Sequence, residues 1–138
     1  MDNNHNSKCV IAVDAMGGDF APRNTVVGSI DALEQSQDFE LLLVGKSEVI
    51  KKEIKTNNLK FDDKHIIHAN EVVEMTDHPA ESMKTKPDSS MAMGAKLVKS
   101  GKAHAFVSAG NTGAMVINSI FGMGRVSGVS DRKSTRLN

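Results

Sequence analysis

Short apolar runs alternate along the chain with stretches whose apolar residues recur at helical spacing. Cys9-Val-Ile-Ala-Val13 is a β-branched run that stops at Asp14, the pattern of a buried strand. Pro22 suits the first turn of a helix, and Val26, Val27, Ile30 and Leu33 follow on one face, with Asp31, Glu34 and Gln35 opposite. Phe39-Glu-Leu-Leu-Leu-Val44 predicts a second strand closed by Gly45. Ser47 is placed to cap a helix whose Val49, Ile50 and Ile54 form an apolar stripe between lysines. Lys64 to His68 reads as a short third strand. Residues 70 to 87 are polar and irregular, with one helical turn expected near Ala80 to Lys84. Asp88, Ser89 or Ser90 then caps a helix containing Met91, Ala95, Leu97 and Val98, which Gly101 ends. Ala103 to Ser108 predicts a further strand, Ala109 to Gly113 a tight turn, and Ala114 to Phe121 a helix.

This alternation predicts an α/β fold of three layers, a mostly parallel sheet covered by helices on both faces through right-handed crossovers. The near-continuous apolar strands agree, because a strand buried on both faces need not alternate. In such sheets ligands bind beyond the carboxyl ends of the strands. The turns that follow Val13 and Val107 are therefore the segments to search for chemistry.

Composition narrows the class. The chain has 138 residues, 39% hydrophobic and 25% charged, which fits a globular domain or part of a larger one. Seventeen basic and seventeen acidic residues cancel, against a broadly basic surface for nucleic acid. No apolar run approaches the roughly 18 residues of a membrane span. One cysteine, Cys9, cannot form an internal disulfide, which fits a reducing cytoplasm; within its apolar strand it reads as an inert core residue. Residues 1–7 are polar and Asn-rich, read as a disordered terminus without a signal peptide's apolar centre. Asp131 to Asn138 matches the in-frame translation of a sequencing adapter, so 131–138 is expected to be a foreign tail and 8–130 the domain.

Three segments carry candidate chemistry. Asp14-Ala-Met-Gly-Gly-Asp19 follows the first strand, and the Gly17-Gly18 pair permits positive φ or close approach to a ligand at the entry to a helix. It is neither a G-x-G-x-x-G fingerprint nor a P-loop. Asp14 and Asp19 would repel a neighbouring phosphate, so they are assigned to orienting loops or to holding a cation or basic side chain. Ser108-Ala-Gly-Asn-Thr-Gly113 places Gly110 and Gly113 in a small-residue turn able to nest an oxyanion, with Ser108, Asn111 and Thr112 adding polar groups. Lys84-Thr-Lys-Pro-Asp-Ser-Ser90 sets two lysines before a capped helix start, where both could serve an anion, although spacing alone favours an exposed lysine pair followed by an ordinary cap. His65 and His68 straddle a strand without zinc-ligand spacing and are read as surface residues; no metal site is expected.

Together Val13-Asp-Ala-Met-Gly-Gly-Asp-Phe-Ala-Pro22, the Lys86-Pro-Asp-Ser-Ser-Met91 core and Phe106-Val-Ser-Ala-Gly-Asn-Thr-Gly-Ala114 resemble the PlsX family, phosphate acyltransferases of bacterial phospholipid synthesis. The resemblance runs from about Lys8 to Gly128 and covers the N-terminal part of a longer family chain, so a truncated domain is expected. It implies an isocitrate-dehydrogenase/phosphotransacetylase-like fold and the transfer of a fatty acyl group from acyl carrier protein to inorganic phosphate. It further implies a homodimer that is cytoplasmic or peripheral to the membrane, with a glycerol-3-phosphate acyltransferase downstream and no cofactor.

Read with that chemistry, Asn111 and the turn N–H groups are expected to stabilise the oxyanion, Lys86 to compensate charge, and Asp14 to orient the turns. Phosphate is expected among Gly17, Gly18, Asp19, Ser89, Ser90, Ser108, Gly110, Thr112 and Gly113. Two rivals are a nucleotide-binding module and a non-catalytic one. The first predicts an acid at the end of the second strand, where Val44-Gly45-Lys46 stands instead.

Overall fold

A computed structural model describes residues 7–128. The N-terminal expectation for residues 1–6 and that for the 131–138 tail lie outside these. Four strands, β1 (Cys9–Asp14), β2 (Phe39–Gly45), β3 (Ile66–His68) and β4 (Ala105–Val107), form one sheet in the order β3-β2-β1-β4. Every pairing is parallel: Val13 lies opposite Leu43 on one side and Val107 on the other, and Gly45 opposite His68.

Strand alternation sorts the core into two layers. Odd positions Val13, Leu41 and Leu43 meet Val26 and Ile30 of α1 (Arg23–Gln35) and Ile50 of α2 (Ser47–Thr56). Even positions Ala12, Leu42 and Val44 meet Leu97 of α4 (Ser90–Lys99) on the opposite face. The shorter helices α3 (Pro79–Thr85) and α5 (Thr112–Ile117) pack on each other, and a π-helical turn, Asn118–Met123, extends α5 over α4. Ile30, Leu43 and Ile50 are at most 1% exposed, and each such burial contributes about 1.5–3 kcal/mol. The α/β architecture predicted from the pattern is the one observed.

Local details differ from expectation for identifiable reasons. Ser47 is the first helical residue of α2, preceded by Lys46, and its N–H donates to Nδ1 of His68 at 3.2 Å. The cap is thus supplied from β3 across the sheet. His65 belongs to a 3₁₀ turn, Asp63–His65, so β3 begins only at Ile66. Pro22 is the residue just before α1 rather than inside its first turn. Cys9 is exposed, not a core residue; it is the first residue of β1, whose burial deepens toward Asp14.

Candidate functional site

The turns after β1 and β4 are joined by a buried acid. The Asp14 side chain ends β1 at 2% exposure. One carboxylate oxygen accepts the Met16 N–H at 3.0 Å, which folds the β1 turn back on the strand. The other accepts the Ser108 hydroxyl at 2.8 Å, and Ser108 Oγ in turn accepts the Gly110 N–H at 3.1 Å. A single line of hydrogen bonds therefore runs from the Met16 backbone to the Gly110 backbone. No salt bridge to Asp14 occurs among the described residues. Hydrogen bonds from the two turns satisfy this carboxylate.

The turns touch. A methyl group on Gly17 would stand 2.7 Å from Asp14 Oδ2, 2.9 Å from Ser108 Oγ and 3.0 Å from the Gly110 nitrogen, so only glycine fits. Gly18 has φ +115°, the backbone conformation that favours glycine, and faces Ala109. Met91, in the first turn of α4, packs behind Gly110. Among the described residues the N–H groups of Gly17, Gly18, Ala109 and Asn111 donate to no protein acceptor. Gly17 and Asn111 are buried, Gly18 is half-buried and Ala109 is exposed, so a rim that joins two covered N–H groups to two solvent-facing ones suits an anion arriving from solvent.

A second polar cluster lies toward α3. Asn111 Oδ1 accepts the Ala114 N–H at 3.1 Å and caps α5. Its amide donates to the carbonyls of Glu74 at 3.1 Å and Asp77 at 3.0 Å. Both ends of this side chain are thus occupied in bracing the 74–77 loop, at variance with a role as a free oxyanion donor. Lys86 donates to the Val72 carbonyl at 2.9 Å and pairs with Asp77, so its charge is matched inside the cluster. That hydrogen bond from Lys86, followed by the Glu74 N–H, holds the Asp77 carboxyl below its ordinary 3.8.

The other expected residues are placed as follows. Ser89 and Ser90 are each 1% exposed; the Ser89 hydroxyl caps α4 by accepting the Ala92 N–H at 3.1 Å. The Ser90 N–H donates to the Glu71 carbonyl. Asp19 and Thr112 are exposed. Gly113 has a packing reason of its own, since a methyl group there would stand 2.6 Å from Cγ of Pro79.

A family model described as "Fatty acid synthesis protein" matches residues 9–136. The chain belongs to this family, the PlsX family. Among its relatives, the phosphate acyltransferase of Clostridium tetani is 43% identical over 119 residues, which cover 86% of this chain and 36% of the relative. That of Dictyoglomus turgidum is 44% identical over 119 residues, covering 86% and 35%. That of Caldanaerobacter subterraneus is 43% identical over 120 residues, again covering 86% and 35%. The chain spans about a third of the length of the curated relatives it matches.

Within this PlsX-family chain the structure brings together Asp14, Gly17, Gly18, Ser108 and Gly110, with α4 behind them. It sets Asn111, Lys86 and Gly113 in the bracing cluster. Sequence reading missed Asp77 and His68. His68 Nε2 lies 2.9 Å from Asn70 Oδ1, while Asn70 donates to Asp88. No motif marks either residue, because their partners lie across the sheet rim or in an irregular loop. No helix among the described residues is long and apolar enough to cross a membrane.

Proposed function

We propose that this chain supplies the phosphate-holding half of a phosphate acyltransferase, acting within the longer chain typical of its relatives. The reaction moves a fatty acyl group from the thioester of acyl carrier protein to inorganic phosphate. A phosphate oxygen attacks the thioester carbonyl, the C–S bond breaks, and the carrier leaves as its thiol after taking up a proton. Phosphate is itself the nucleophile, so the protein's task is to position it and to stabilise charge. The observation that carries this reading is the Asp14–Ser108–Gly110 line, which holds two glycine turns in contact while leaving neighbouring N–H groups unspent. Those N–H groups receive the phosphate and the developing oxyanion, and one such donor is typically worth about 2.7–4 kcal/mol. Asp14 is a positioning residue here, and Asn111 positions the start of α5.

The acyl carrier as donor, a homodimer, a cytoplasmic or membrane-peripheral site and a glycerol-3-phosphate acyltransferase downstream rest on the family resemblance. The test is to mix acyl carrier thioester with a full-length family member, with and without inorganic phosphate. Phosphate-dependent loss of the acyl group is expected; equal loss in both would refute the proposal.

A further inference from the structure

An apolar groove of about 340 Å³ runs along the α1 face of the sheet, between α1 and β4. Its floor is Ile11 and Val13 of β1 and Val107 of β4; its wall is Gly28, Ser29 and Ala32 of α1. Two independent features mark it as a seat rather than ordinary surface. Val107 is 54% exposed although it pairs with Val13, whose own face is packed against α1 and β2. The apolar face of the sheet thus continues past its helical cover, whereas parallel sheets are found with both faces covered. The wall is also trimmed: nothing lies within 4 Å of where a Gly28 side chain would begin, and Ser29 and Ala32 are small. Small side chains set the distance to which a second helix can approach.

We infer that this groove seats a helix from the part of the family chain beyond this sequence. The relatives are more than twice as long as this chain, and β4 pairs on one side only among the described residues. Handedness narrows which helix it is. A right-handed crossover from β4 to a strand on its open side returns over the α4 face, where α5 already lies. The α1 face of β4 must therefore be covered by a segment that arrives later in the chain. This helix also completes one wall of the phosphate site, because the groove ends at Asp14 and Ala109. The inference stands apart from the proposed chemistry: a seat can be filled whether or not phosphate binds.

The test is thiol accessibility. Single cysteines replace Ala32 and Val107, one at a time, in this chain carrying Cys9→Ser, and at the aligned positions of a full-length family member freed of other exposed cysteines. Reaction with a disulfide reagent is expected to be fast in this chain and at least about tenfold slower in the full-length protein. A cysteine replacing Lys52, exposed on α2, serves as the control and should react alike in both. Equal rates at the groove positions in the two proteins would overturn the inference. So would protection in this chain that grows with its concentration, which would make a second copy the occupant. Protection of the full-length protein only on adding a palmitoyl thioester would assign the groove to the acyl chain instead, and would equally overturn it.

Discussion

The chain holds two polar clusters near the carboxyl rim of the sheet, built from similar residues and spent differently. In the bracing cluster, Lys86, Asp77 and Asn111 consume one another's hydrogen-bonding capacity and that of the 72–77 carbonyls. In the joint between the β1 and β4 turns, one buried carboxylate and one hydroxyl fix two backbones, leaving adjacent N–H groups over. A cluster that closes on itself stabilises a fold; one that fixes backbone donors without occupying them is prepared for a ligand. Residue type alone does not separate the two, since the first contains the lysine and the asparagine that look most catalytic.

The largest expected effect is at Asp14. Asp14→Ala leaves the half-buried Met16 N–H and Ser108 hydroxyl without their partner, a cost of about 2–4 kcal/mol for two lost partners. Urea unfolding should read that loss, and the full-length enzyme carrying the change should lose most of its turnover. A stable, active variant would erase the distinction between the clusters.

Next comes Gly17→Ala, whose methyl group has no room beside Asp14 and Ser108. Overpacking of this kind costs about 1–3 kcal/mol. Because the turns must part to admit it, apparent phosphate affinity is expected to fall further than the unfolding midpoint.

Asn111 sharpens the comparison from the other side. Asn111→Ala removes a helix cap and the tie to the 74–77 loop, a loss of about 1–2 kcal/mol. Asn111→Asp keeps the capping oxygen and removes only the amide donors. If Asn111 braces, Asn111→Asp keeps the cap but loses the loop tie and sets a carboxylate against the Glu74 and Asp77 carbonyls, so stability falls in both variants while turnover of the folded enzyme is retained; if its amide serves the oxyanion, turnover falls in both variants alike.

The smallest effect is on acid stability. A carboxyl held below 3.8 when folded stabilises the protein above that value and loses the contribution as pH falls through the lower folded one. The slope of stability against pH below about 4 should therefore be shallower in Asp77→Asn than in the parent, a comparison that pH-dependent unfolding can make.

Much of this was legible in the residues. The apolar runs at Cys9–Val13 and Phe39–Val44 and the helical stripes at Val26–Leu33 and Val49–Ile54 locate the central sheet and its α1 and α2 cover, because each buries a periodic face. The placing of the Gly17 and Gly110 turns at one rim followed from parallel topology. What the residues could not disclose was where polar side chains spend their bonds. Lys86 meets Asp77 through an irregular loop without periodicity, and Asn111 reaches the same loop from the far end of the chain. His68 caps α2 from another strand, a service that no local pattern encodes.

The most direct measurement is amide NMR of this chain titrated with inorganic phosphate. Saturable shifts are expected to centre on the Gly17, Gly18, Ala109 and Asn111 amides and to be strongly weakened in Gly17→Ala. Shifts confined to Lys84 through Lys86, or none at these four amides while phosphate demonstrably binds elsewhere, would contradict the proposed phosphate site.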